Sequence, residues 1–361
     1  MTAAFDTFPE QDEAKRLLRS ALAEGPAHAY LFHGPRGVGK RAAALAFAGE
    51  LIGAPDRVAR RAHADLYVLE PLGDQIRIDP IRELRRDLHM RPFEADRRVY
   101  LVFGAHLLNP EAADALLKDL EEPPEYAVIV LVADEVGPLP STIVSRCQRV
   151  PFRRLSQRAI REVLAARGVF GPQLDALSRV AAGRLDRAER LLDPEAQERR
   201  VTLIDLARSV YLDESFEPKG AAGVVVEFVQ KRGAAARASA EADEHGDETE
   251  KQAEQRATRA AAGAEREAVL DALDLLASWY RDLVVVAAGA ERAALNSDRV
   301  EELRADANPE RAVAAERAAE VCRDVWRTYE ALNLQQSLAL DALFVRLRRV
   351  LVTPFVALGH N

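Results

Sequence analysis

The residues Gly34-Pro35-Arg36-Gly37-Val38-Gly39-Lys40 read as a loop for holding phosphate, and the next residue, Arg41, cannot complete it. In the GxxxxGK[ST] pattern the loop amides and the Lys hold phosphates, while the hydroxyl of the last residue ligates Mg²⁺. An Arg has no acceptor atom, and its fixed positive charge opposes a cation beside it. The acids of such a site stand at the end of a later apolar strand, one to hold Mg²⁺ and one to activate water. Here the strand Arg98-Val99-Tyr100-Leu101-Val102 runs into Phe103 and Gly104 instead. Two separate losses at one site indicate a phosphate-loop domain that has kept its fold and given up hydrolysis. A plain glycine turn could also match GxxxxGK. The strand from Ala29 to His33 before the loop and the helix-forming run from Gly39 to Leu51 after it favour the phosphate loop.

The elements that position these residues follow from periodicity. Between residues 28 and 152 short apolar runs alternate with amphipathic helical patterns, the mark of a parallel sheet with helices on its faces. Strands are expected at Ala29 to His33, Asp65 to Leu69, Arg98 to Phe103, Ala127 to Val132 and Gln148 to Phe152. Asn109 as N-cap with Pro110 behind it starts a helix that Pro123-Pro124 stops after Glu122. From Leu155 the pattern turns helical. Helices are expected at Ser156 to Arg167, Pro172 to Ala182 and Leu185 to Leu192, the first two closed by Gly168 and Gly183. The fold class is therefore an α/β phosphate-loop domain (1–154), a small three-helix domain (155–193) and an all-helical domain (194–361). Within the last, residues 230–268 contain no Val, Leu, Ile, Met or aromatic side chain. Such a stretch cannot form a core of its own. It reads as a charged, Ala-rich insertion, marginally helical at its ends and mobile around Glu244-His245-Gly246-Asp247.

Composition narrows the class. The chain has 361 residues, 48% of them hydrophobic, enough for two or three cores. No apolar run approaches the roughly 18 residues needed to cross a bilayer, and residues 1–10 lack the features of a signal peptide, so a cytoplasmic protein is expected. Two cysteines, Cys147 and Cys322, are too few for a disulfide framework or a four-Cys zinc site. A net charge of −8 argues against a surface that grips nucleic acid throughout. His28, His33 and His106 lack the spacing of metal ligands. Arg82, Arg85 and Arg86 share a helix that could face DNA, although a solvated basic face is the simpler reading.

Three segments carry a family resemblance. His28-Ala29-Tyr30-Leu31-Phe32-His33-Gly34-Pro35, the run Ala115-Leu116-Leu117-Lys118 through Leu120-Glu121-Glu122-Pro123-Pro124, and Ser145-Arg146-Cys147-Gln148 together resemble the bacterial clamp-loader subunits of the AAA+ class, strongly from Phe5 to about Leu192. Ile76-Arg77-Ile78-Asp79 and Ile81-Arg82-Glu83-Leu84 resemble the family's second strand and helix. Of the two competing subunit types, the ATP-hydrolysing motor (gamma/tau) requires the hydroxyl and carboxylates missing at Arg41, Phe103 and Gly104, so the delta-prime type fits better. The four-Cys zinc module of many relatives has no counterpart in residues 52–64, and Asp114 replaces a usual Asn without evident reason.

The resemblance implies a subunit of the DNA polymerase III clamp loader in a hetero-pentameric ring with gamma/tau and delta subunits, loading the sliding clamp on primed DNA. It implies that Arg146 projects as an arginine finger to the γ-phosphate of a neighbour's ATP, against the plainer reading of an intrachain salt bridge. It places Arg187 where a second domain reaches back to nucleotide, with a helix-lid contact or solvent exposure as alternatives. It makes the all-helical third an oligomerising collar. No cofactor and no zinc are then required, and residues Gly34 to Arg41 form a degenerate phosphate site that leaves room for a weak, Mg-free nucleotide or anion. Cys147 reads as a small buried apolar residue.

Overall fold

The computed structural model describes residues 5, 8–71, 75–242, 250–332 and 335–352. By their contacts these fall into two compact units, 1–169 with 183–187, and 170–182 with 188–361. The short helices expected within 155–193 are thus shared between the units.

The first unit is a five-stranded parallel sheet in the order β2-β3-β4-β1-β5, from β1 (Ala29–His33), β2 (Leu66–Leu69), β3 (Arg98–Phe103), β4 (Ala127–Ala133) and β5 (Gln148–Pro151). Its helices are α1 (Asp12–Glu24), α2 (Lys40–Ile52), α3 (Pro55–Ala59), α4 (Ile78–Leu88), α5 (Pro110–Glu121), α6 (Ser141–Val144) and α7 (Gln157–Ala166). The expected strands are present, within a residue at their ends. β3 and β4 are buried along their whole length, as nearly continuous apolar runs are when both sheet faces are covered. Alternation then sorts the strand residues. Tyr30, Phe32, Val99, Leu101, Val128 and Val130 pack with Phe47 of α2 and Leu18 of α1. Leu31, Tyr100, Val102, Ile129 and Leu131 pack with Leu84 of α4 and Leu116 of α5 on the other face. Asn109 caps α5 by accepting the Ala112 N–H at 2.9 Å.

Asp65 fixes the approach to β3. It is fully buried, and its carboxylate accepts the backbone N–H groups of Phe93, Glu94 and Ala95 at 2.6, 2.9 and 2.9 Å. Burial pushes its pKa up, yet these three bonds carry it below the ordinary carboxylate value.

The second unit is helical: α8 (Gly171–Val180), α9 (Leu185–Arg190, its first turn counted with the first unit), α10 (Pro194–Leu212), α11 (Pro218–Ala242), α12 (Glu250–Ala287), α13 (Val300–Asp306), α14 (Pro309–Leu332) and α15 (Gln336–Val352). Its core is centred on Trp279, Tyr280, Leu340 and Phe344, all fully buried. The Ala-rich stretch is helical at both ends, as expected, and those ends pack against each other. α11 and α12 run through residues 230–242 and 250–268 as continuous helices, and Arg237 of α11 pairs with Glu254 of α12 at 2.6 Å. Ala240 and Ala257 are buried between them, and a Cβ at Gly233 would stand 2.4 Å from the Glu265 carboxylate. Small residues let the backbones approach closely, so a helical pair forms without large side chains. The expected mobile centre, Glu244 to Asp247, lies outside the described residues.

Candidate functional site

β1 delivers the chain into the phosphate loop, and three glycines take conformations that L side chains rarely adopt, with φ of +138° at Gly34, +75° at Gly37 and +99° at Gly39. A Cβ at Gly34 would lie 2.1 Å from the Phe152 carbonyl oxygen. Gln11 braces the loop, donating to the carbonyls of Val38 and Arg153 at 3.3 and 2.7 Å.

Lys40, the first residue of α2, turns inward. Its Nζ donates to the carbonyls of Gly34 and Pro35, each at 2.6 Å, and pairs with Asp134 at 2.7 Å. Only 3% of its side chain is exposed. Burial lowers its pKa, and Asp134 partly restores it. Sequence reasoning did not single out Asp134. The signal was an acid directly after β4, because β4 pairs with β1 and the His33–Ala133 register sets residue 134 beside the start of the loop.

Arg41 and Phe103, distant in sequence, meet. The guanidinium carbon lies 4.1 Å from the Phe103 ring centroid, and Arg41 also pairs with Glu70, which Arg61 holds at 2.8 Å. The residues standing in for a hydroxyl and a carboxylate thus form an internal cation–aromatic stack. Gly104 follows with φ +67°, against Pro71.

The far side of the loop is met by residues 183–187. The Leu185 N–H donates to the Gly37 carbonyl at 2.7 Å. Asp186 sits so close to Gly37 that a Cβ there would be 1.7 Å from its Oδ1. Arg36 stands 3.9 Å from the same carboxylate, and Arg184 pairs with it at 3.0 Å. Asp186, one position before Arg187, is the side chain against Gly37, while Arg187 is 8% exposed.

Arg146 lies in the turn between α6 and β5. It donates to the Thr142 carbonyl at 2.9 Å and pairs with Glu121 at the end of α5, with 34% of its side chain exposed. Of the basic helix face, Arg85 pairs with Asp119 and Arg82 with Asp79. Among the described residues no group of three His, Cys, Asp or Glu side chains is placed to hold a metal ion. His106 Nδ1 accepts the Asp134 N–H at 3.2 Å.

Cys147 is buried, and burial pushes its thiol from 9.0 up to about 12. A pKa raised by folding stabilises fully below the unfolded value and is lost as pH rises toward the folded one. Urea melts of the first unit's transition between pH 8 and 10.5 are expected to show stability falling above about pH 9, with this thiol contributing up to about 1.4 kcal/mol per pH unit. Cys147→Ala should remove that part of the slope. An unchanged slope would place the thiol in contact with solvent.

Residues 10–156 match the family described as DNA polymerase III, delta subunit. The delta' subunit of DNA polymerase III from Bacillus subtilis is 30% identical over 204 residues, 53% of this chain and 62% of that protein. The tau subunit from the same organism is 33% identical over 170 residues, 43% of this chain and 30% of that one. The delta' subunit of Pseudomonas aeruginosa is 38% identical over 136 residues, 34% of this chain and 42% of that one. A gamma subunit-related protein of Thermotoga maritima superposes on 94% of this chain and 99% of its own, at a TM-score of 0.47 and 20% identity. The chain thus spans between about a third and three-fifths of the length of these three curated relatives.

Proposed function

We propose that this chain, similar through residues 10–156 to DNA polymerase III clamp-loader subunits, is the delta-prime type of subunit: a member of the DNA polymerase III clamp loader that does not hydrolyse ATP. The observation carrying this is the stack of Arg41 on Phe103. A Mg-nucleotide does not fit the loop as folded, since a fixed cation and an aromatic ring stand where a hydroxyl and a carboxylate would hold the metal, and Lys40 is engaged by its own loop. An anion reaching the loop would be held weakly and without Mg²⁺. Neither cofactor nor zinc is needed for the role.

In this reading the subunit acts on a neighbour, within a hetero-pentameric ring of gamma/tau and delta subunits that places the sliding clamp on primed DNA. Arg146, partly exposed and planar, offers two parallel N–H donors to the transferring phosphoryl group of ATP bound next door. α15 supplies a surface suited to assembly. Leu338, Ala342, Val345, Arg349 and Val352 are all exposed, at alternating spacings of four and three. That is the seam one helix offers another. No helix among the described residues is long and apolar enough to cross a membrane.

The competing reading is an active gamma/tau-type motor, which the 33% identity to a tau subunit favours. Turnover separates the two. The isolated chain is expected to release no phosphate from Mg-ATP above background, and Arg41→Thr is expected to change nothing, since Phe103 and Gly104 still provide no acid. Turnover abolished by Lys40→Ala would establish the motor. Co-purification with gamma/tau and delta, with ATPase measured with and without this chain, tests partner and mechanism together.

A further inference from the structure

The side of the phosphate loop away from the Arg41 stack holds a carboxylate. Asp186 packs on Gly37, within reach of Arg36 and bound by Arg184, while the Leu185 N–H ties the same segment to the Gly37 carbonyl. A loop of this type presents amides, a Lys and an uncovered glycine to a negatively charged oxygen. Here the uncovered glycine already faces one. The Gly37 position tolerates no side chain because Asp186 occupies that space, and the loop's Lys is turned to Asp134.

We infer that Asp186 is a resident anion that closes this loop to the phosphates of a nucleotide, fastening residues 183–187 to the loop in the place a bound phosphate would otherwise take. Two effects exclude the ligand. The carboxylate fills the volume over Gly37, and its charge repels a second anion at a few ångströms in a site partly shielded from water. Removing the charge alone and removing charge and bulk together should therefore act in series. The inference rests on reading the loop as an inherited nucleotide site, and on nothing assigned to Arg146.

The test uses the full isolated chain, with ATP in excess EDTA and, separately, inorganic pyrophosphate as probes, followed by titration calorimetry and by the shift of Tm with ligand. The wild type is expected to show no saturable binding at millimolar ligand. Asp186→Asn should bind at least about tenfold tighter than the wild type, and Asp186→Ala tighter still, with Tm rising as ligand is added. Should Asp186→Ala fail to fold, the isosteric Asp186→Asn decides. The inference is overturned if the wild type binds either probe as tightly as the variants do, or if the variants bind neither. Each of those results leaves the role of Arg146, which is read from turnover in the assembled complex, to be judged separately.

Discussion

Arg146→Ala is expected to leave the fold and the assembled complex intact while lowering its ATP turnover and, more severely, its rate of clamp loading. Stability should hardly change. The pair with Glu121 joins two exposed side chains, and such pairs contribute about 0–1 kcal/mol. The same weakness allows the guanidinium to leave Glu121 for a phosphate carrying more charge. An arginine finger acts in the transition state of the neighbouring site, where its loss costs about 10³-fold or more. In the proposed ring the other sites would keep their own fingers, so total turnover should fall in part only. Loading needs coordinated firing around the ring and should suffer more than bulk turnover. Arg146→Lys should rescue incompletely, because a single ammonium lacks the planar fork that spans two phosphoryl oxygens. Size-exclusion chromatography, phosphate release and a loading assay on primed DNA read the three quantities. A variant complex that assembles and loads at the wild-type rate would make Arg146 structural and remove the action in trans.

The α/β half was legible because its signals are local. A buried parallel strand is a short, nearly continuous apolar run, and Ala127–Ala133 and Val99–Phe103, after the buried Arg98, are such runs. Caps and prolines bound α5 from sequence alone. The roles of Asp65, Asp134 and Asp186 were not legible, because each depends on what lies across space. Asp65 is one acid before a strand until three amides 28 to 30 residues away converge on it. Asp134 matters because β4 happens to pair with β1. At the loop, a resemblance drew attention to Arg187, whereas contact with Gly37 is made by its neighbour of opposite charge. The stretch 230–268 misleads for another reason. Hydrophobic patterning detects large side chains, and helices joined through alanines, a glycine and Arg–Glu pairs carry almost none.

Asp134→Ala should destabilise the first unit more than its exposed position suggests. Asp134 is 35% exposed, but its partner Lys40 is almost entirely enclosed, so truncation leaves an ammonium with two carbonyls and no opposing charge. Breaking a fully buried pair costs about 3–5 kcal/mol, and water access at Asp134 reduces this to about 2–3 kcal/mol. The deficit should depend on pH with a defined sign. Burial already holds the Lys40 pKa below that of a free lysine, and loss of Asp134 lowers it further. Between the folded and unfolded values the unfolded chain binds more protons, so stability rises with pH. The gap between variant and wild type should therefore narrow as pH rises toward the pKa of a free lysine, where the thiol contributions common to both proteins cancel. Lys40→Met added to Asp134→Ala removes the orphaned charge and should recover most of the loss, a coupling that urea melts of the four-member mutant cycle would measure. Additive losses in the double variant would mean that Lys40 draws its stability from the loop carbonyls alone, and that Asp134 holds nothing in place.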